Sequence, residues 1–313
     1  MTFIDLDEQQ LCDEFPQVLT ILLTDRTTGR NITWACDDYA SICPDFTFDA
    51  EMSVEAITGI NHGIIKPRSQ KAREDQIRRT KDQAEVFTPS WVCNAQNNLI
   101  DEAWFGRSNV FNTAGGTTWT PTSAPIEFPD DDARTWQSYV DELRLEIACG
   151  EAPYLVSRYD TVSGEPIELP ARIGVLDRKL RVVGENCSTD TAWLNWSRRA
   201  IQATYGFGLP GDSLLLAREN ILMTYQDYRV DALGAPAGGA ELEEIATIIT
   251  WNVWQMDGLT QSTPNPVDTE YATDGVQLDL FASTLELTPQ PAPCIIMDWD
   301  AGTPVPFSSL LAT

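Results

Sequence analysis

Leu145-Glu146-Ile147-Ala148-Cys149-Gly150-Glu151-Ala152 is the stretch on which the reading of this chain turns. An apolar run of strand type meets an acidic residue and then bends through Ala-Cys-Gly. Residues this small let backbone N–H groups approach a bound molecule closely. A helix over 135–143 leads into the strand, and Tyr154 to Asp160 reads as a helix packing back on the sheet. Further out, Pro89 opens a helix to Ala103, since proline suits a helix start. Amphipathic stretches from Ser213 to about Tyr228 and from Glu241 to Trp254 fit helices that cover a sheet. The fold class expected is therefore α/β.

Three other segments accompany the loop. Upstream lies Ala84-Glu85-Val86-Phe87-Thr88-Pro89. Downstream, Tyr205-Gly206-Phe207-Gly208 is followed by Leu216-Ala217-Arg218-Glu219-Asn220-Ile221, and then by Asn252-Val253-Trp254-Gln255-Met256-Asp257-Gly258. In this order the four resemble the cofactor-binding elements of gamma-class N6-adenine DNA methyltransferases. The run Arg79 to Asn94, taken with Cys149 to Leu155, resembles bacterial proteins labelled restriction endonuclease subunit M, a similarity covering nearly the whole chain.

That resemblance implies a Rossmann-like class I methyltransferase sheet flanked by helices over 66–313, with a family-specific N-terminal addition over 1–65. It implies S-adenosylmethionine as cofactor. Phe87, Thr88 and Pro89 would flank it, Glu146, Cys149 and Gly150 would hold its amino-acid end, and Asp257 would accept from its adenine amino group. The implied activity is adenine-N6 methylation of DNA within a restriction-modification system, alongside a restriction or specificity subunit.

The sequence departs from the family in three places. Gly208 stands where the second strand would end in an acid for the ribose hydroxyls, and the nearest carboxylate is Asp212. The cofactor loop carries Ala152 in place of its last Gly and adds Glu151. No (Asp/Asn/Ser)-Pro-Pro-aromatic tetrapeptide exists, although chemistry at an exocyclic amine needs acceptors beside a stacking ring. Asn265-Pro266-Val267-Asp268 lacks the ring, so the catalytic candidates are Asp298 and Trp299, which follow the apolar run Cys294 to Met297.

Charge works against a nucleic-acid partner. The 313 residues carry a formal charge of −26, and phosphate neutralisation by Lys and Arg supplies much of the affinity for DNA. Seven of the 21 basic residues nevertheless cluster between Lys66 and Lys81. In a helix from about Gln70 to Gln83, Lys71, Arg78, Arg79 and Lys81 form the candidate DNA-binding stripe. The bland alternative is a solvated helix with interleaved acids paired along it.

The remaining features bound the answer. Seven scattered cysteines without a Cys-x-x-Cys pair suit a reducing compartment, and no metal site is expected. His62 is the single histidine, in an Asn-His-Gly turn, which leaves little for a Ser-His-Asp hydrolase. Apolar runs such as Val18 to Leu23 are far shorter than a bilayer span, so a soluble cytoplasmic protein without membrane contact is expected. Residues 1–65 read as an acidic helix from Leu6 to Phe15, a strand pair around Asp25 to Arg30 and an Asp-rich loop, and 107–133 as a long polar loop. Strands are expected within Val276 to Leu287.

Three alternatives stand beside the methyltransferase reading. One is a catalytically silent relative that keeps the fold as an interaction or regulatory module. Another is a metal-dependent nuclease using Asp177-Arg178-Lys179 on a strand with Asp160 or Glu168. The last is an acidic DNA mimic.

Overall fold

The computed structural model describes residues 7–82, 85–267 and 290–311. The chain is mixed α/β. At its centre lie three short parallel strands, β3 (Arg144–Glu146), β4 (Thr204–Gly208) and β5 (Val253–Gln255), hydrogen-bonded in the order β3-β4-β5. Leu145 pairs with Tyr205, and Phe207 with Trp254, which places all four on one face. Glu146, Gly206 and Val253 share the other face. The remaining sheets are antiparallel pairs: β1 (Asn112–Gly115) with β2 (Thr118–Pro121), β6 (Ser262–Val267) with β7 (Gln290–Pro293), and β8 (Ile295–Asp298) with β9 (Thr303–Pro306).

Helices fill the crossovers. α7 (Val175–Asn186) and α8 (Asp190–Gln202) connect β3 to β4, and α9 (Gly211–Leu233) and α10 (Gly239–Asn252) connect β4 to β5. α8 starts where Thr189 Oγ1 accepts the Ala192 N–H at 3.2 Å, one of the donors a helix leaves unpaired at its start. α5 (Ser90–Phe105) and α6 (Trp136–Asp141) precede β3. The Phe207/Trp254 face carries a small second core with Cys294, Ile296 and Phe307, built around the β8/β9 hairpin. The main core lies on the opposite side and takes in α2 (Pro16–Leu23) as well as α7 to α10.

The N-terminal residues depart from the expected strand pair. Pro16 occupies the first helical position, where a missing N–H costs nothing, and Val18, Leu19, Leu22 and Leu23 bury one side of α2 against α10. Among the described residues an isolated bridge, Thr24 with Asn31, stands in place of the expected hairpin, and a second joins Thr33 to Glu51. Arg218 bolts this portion to the sheet: its guanidinium donates to Val253 O, Leu22 O and Thr24 O at 2.8, 2.5 and 3.0 Å.

Two further expectations change. Residues 154–160 form turns instead of a helix, because the carbonyls of Tyr154 and Leu155 accept the N–H groups of Val175 and Leu176 at the start of α7, both at 2.8 Å. The segment read as a nuclease strand is α7 itself. Asp177 is sealed in its first turn, taking the N–H groups of Ser157 and Gly174, while Lys179 donates to Glu142 O and Ala203 O. Neither side chain faces an open site, so the Asp-x-Lys nuclease arrangement does not form.

The polar stretch 107–133 contains the β1/β2 hairpin, and α4 (Arg73–Asp82) is shorter than the helix expected over 70–83. His62 sits half-exposed in its turn with Nε2 at 2.9 Å from Asp7 Oδ1. Among the described residues no helix is long and apolar enough to cross a membrane. The strands expected within Val276 to Leu287 lie outside the described residues.

Candidate functional site

The carboxyl ends of β3 and β4 open into a cavity of about 810 Å³. Its walls come from four separate stretches: 35–38 with Phe48, Glu85 to Thr88, Glu146 to Gly150 with Tyr154, and Gly208 to Leu214. Phe87, Thr88, Glu146, Cys149 and Gly150, expected together from their sequence order, all line it. Pro89 caps the start of α5 beside them, and the Ser90 N–H behind it donates to Asp160 Oδ2 at 2.7 Å.

The loop after β3 is wound tightly, with positive φ at Ala148 (50°), Gly150 (53°) and Ala152 (61°). Such angles suit glycine and cost an alanine roughly 1–2 kcal/mol each, so the surroundings must hold the two alanines. Cys149 N–H donates to Phe207 O, and Ala152 N–H to Cys149 O, both at 2.7 Å. Asn220 of α9 donates to Glu151 O at 3.2 Å and to the Tyr159 hydroxyl at 3.0 Å. Glu151 is itself locked, accepting from Arg68 N–H at 2.6 Å and Tyr159 OH at 2.7 Å, and burial pushes its carboxyl up to about 7. At Gly150 the Phe87 ring closes the approach: a Cβ there would stand 3.7 Å from two ring carbons. The Arg68 guanidinium also lies over the Phe87 ring, 5.1 Å from its centre.

Glu146 lies at the cavity floor. Burial raises its carboxyl to about 8, more than the N–H groups of Tyr154 and Leu155 lower it, so at neutral pH it is largely protonated. Cys149 is equally sealed, and burial, reinforced by Glu146, holds its thiol far above the ordinary range. A thiol so placed is a small apolar wall, not a nucleophile.

Asp257 does not join this group. It follows β5, but its carboxylate turns back to accept the Leu259 N–H at 2.8 Å, and its backbone bridges to Ser262. Asp298 and Trp299 lie further off. Trp299 Nε1 donates to Asn252 Oδ1 at 2.7 Å, and Asn252 closes α10 just before β5 begins. The pair therefore sits at the amino ends of the strands, opposite the cavity. They line a separate crevice of about 320 Å³ with Leu145, Tyr205 and Trp254. Asp298 caps its own turn by accepting from Asp300 and Ala301. Asp298 and Trp299, expected beside Phe87, Cys149 and Gly150, therefore lie apart from them.

The basic stripe is corrected in part as well. Arg79 is 1% exposed, and its five N–H groups reach Glu85, Asp38 and Asp212. Lys71 Nζ contacts Asp212 at 2.6 Å. Burial alone would raise the Asp212 carboxyl, yet Lys71 and Arg79 outweigh it and hold it well below the usual range. The Tyr39 hydroxyl donates to the same carboxylate at 2.7 Å. Lys71 and Arg79 are thus internal counter-ions, and Asp212, the nearest acid to the end of β4, is consumed by them. Arg78 is half-exposed and paired with Asp38 and Asp75, while Lys81 is exposed.

The wall over 35–38 was not foreseen. Its contacts run to residues more than 170 positions away, such as Tyr39 to Asp212, so no local pattern announces them. No protein-family model, curated protein or solved structure matches the chain.

Proposed function

We propose that the chain is a methyltransferase-like subunit that binds S-adenosylmethionine, or its demethylated product, in the cavity at the carboxyl ends of β3 and β4, and that it serves DNA adenine modification only with a partner chain. The observation that carries this reading is the meeting of Phe87 with Gly150 on the wall of the cavity, two positions far apart in sequence that the family resemblance places at one cofactor. The parallel order β3-β4-β5, with the crossover helices between, agrees with part of a Rossmann-like sheet. A volume of about 810 Å³ is ample for a nucleoside joined to an amino acid.

The residues fit the amino-acid half of such a ligand. Glu146 offers a carboxyl that ionises against an ammonium group, while Phe87, packed over Gly150, gives the cavity an apolar wall beside it. When bound, the cofactor supplies an activated methyl group. This chain's own residues position it, with Phe87 and Val86 lining one side of the cavity.

A silent role for the isolated chain follows from Asp298 and Trp299 lying in a different crevice, and from Lys71 and Arg79 being neutralised internally. A partner is needed to supply both base capture and phosphate contacts.

Thermal unfolding with S-adenosylhomocysteine, paired with a methyl-transfer assay on adenine-containing duplex, tests the reading. A ligand at 100 times its Kd stabilises by about 2.7 kcal/mol, a shift of roughly 5 °C for a chain of this size. The expected result is that shift with no transfer by the chain alone. Absence of any shift up to millimolar ligand overturns the cofactor reading, and robust transfer by the isolated chain overturns the need for a partner.

A further inference from the structure

We infer that Asp37, carried by the N-terminal segment and not by the sheet, is the carboxylate that binds the sugar hydroxyls of a nucleoside in this cavity. The inference rests on the reading just given and names the residue that grips the ligand's vicinal diol.

Four acids line the cavity: Asp37, Asp38, Glu85 and Glu146. Three are already committed. Asp38 is paired with Arg78 and Arg79. Glu85 receives two N–H groups of Arg79 at 2.8 and 2.9 Å and the Ser213 hydroxyl at 3.2 Å. Glu146 is buried at the floor, where it accepts the Tyr154 and Leu155 N–H groups and is the acid already assigned to the ligand's ammonium. Asp37 is exposed on the wall, and among the described residues no cation pairs with it. Its Oδ1 accepts the Phe48 N–H at 2.8 Å, which fixes the carboxylate's direction and leaves its remaining lone pairs to a ligand.

The wall that carries Asp37 is rigidly attached to the sheet. Gln255 at the end of β5 accepts the Thr33 N–H at 2.9 Å and donates to Thr33 O at 2.8 Å. Gly211 N–H, at the start of α9, donates to Trp34 O at 2.8 Å, and Ala35 N–H donates to Phe48 O at 2.9 Å. The segment is thereby held beside the tip of β4, where Gly208 offers no side chain. A carboxylate accepts from two adjacent hydroxyls at once, and hydrogen bonds to a charged group are the stronger kind. Glu146 and Gly150 occupy the β3 end of the same cavity, so the ligand's amino acid lies there and its sugar lies toward Asp37.

Equilibrium dialysis of the full chain and of Asp37→Asn separates the outcomes, with three probes: S-adenosylhomocysteine, its 2′-deoxy analogue, and 5′-methylthioadenosine, which keeps the diol and lacks the amino-acid portion. Asp37→Asn is expected to weaken the first and third alike, by roughly 10- to 100-fold, and to change the deoxy analogue far less. Unchanged melting of the variant shows that its exposed side chain does not support the fold. A loss confined to S-adenosylhomocysteine overturns the diol assignment in favour of an ammonium contact, and an equal loss for the deoxy probe or no loss for any also overturns it. If the unaltered chain retains none of the probes, the cofactor reading falls and takes Asp37 with it, whereas retention without a variant effect removes Asp37 alone.

Discussion

Arg79 grips Asp212 with both ends of its guanidinium, Nη1 to Oδ2 at 2.9 Å and Nη2 to Oδ1 at 3.0 Å, in a setting where 1% and 0% of the two side chains are exposed. The same guanidinium serves Asp38 and Glu85, so one cation ties α4, the N-terminal wall and the first turn of α9 into one unit. Its planar fork uses every N–H, which an ammonium cannot imitate. The unit forms the side of the cavity facing the loop 146–150.

Removing Arg79 leaves buried acids without their counter-ion, a change that costs about 3–5 kcal/mol. Urea unfolding of Arg79→Met is expected to show a loss of that order, and Arg79→Lys a loss nearly as large. A loss below about 1 kcal/mol in either variant contradicts the internal counter-ion role.

Lys71 faces Asp212 and not solvent, so it contributes nothing to duplex affinity. Fluorescence anisotropy with a labelled adenine-containing duplex is expected to give the same binding curve for Lys71→Gln and the unaltered chain. A tenfold weakening that follows salt concentration restores Lys71 to a phosphate-binding stripe.

The raised carboxyls predict how stability follows pH. Glu146, Glu151 and Asp177, at about 8, 7 and 6, are held up chiefly by burial, so between their unfolded values near 4 and these folded values the native state binds more protons than the unfolded chain. Stability therefore falls as pH rises through that window. Asp212 acts oppositely, its stabilisation being present above about pH 4 and lost as acid protonates it. Melting followed by circular dichroism is expected to peak at mildly acidic pH, and Glu146→Gln is expected to flatten the decline between about pH 6 and 8. A melting temperature that rises steadily from pH 5 to 8 contradicts the buried, protonated state of Glu146.

Gly211 is confined by contact: a Cβ there would stand 2.1 Å from Thr33 O and 2.7 Å from Met52 Sδ. Gly211→Ala forces the N-terminal wall away from α9 and is expected to destabilise by about 1–3 kcal/mol, with a matching loss of nucleoside binding. A variant of unaltered melting temperature and ligand affinity shows that the wall is not part of the cavity.

Much of this was legible because it is local. The loop after Glu146 and the helices α5, α9 and α10 follow from apolar spacing and from small residues between apolar runs. The roles of single side chains were less so. Pro16 and the 18, 19, 22, 23 spacing mark α2 as a helix, but a short apolar run reads equally as a strand. Lys71 and Arg79 look solvated beside Glu74 and Asp75, because their partner Asp212 lies more than 130 positions away. Asp298 and Trp299 follow a strand as a base-binding pair would, yet that strand packs over one sheet face and delivers them to the wrong end.

Isothermal titration of S-adenosylhomocysteine into the unaltered chain and into Gly150→Val measures the central claim most directly. A valine at a φ of 53° is strained, and its branches extend toward the Phe87 ring that already stands 3.7 Å from the Cβ position. The account predicts one saturable site per chain, and loss of that site in a variant that still folds cooperatively. Absence of binding by the unaltered chain, or equal binding by both, would contradict a nucleoside site between Phe87 and the loop after Glu146.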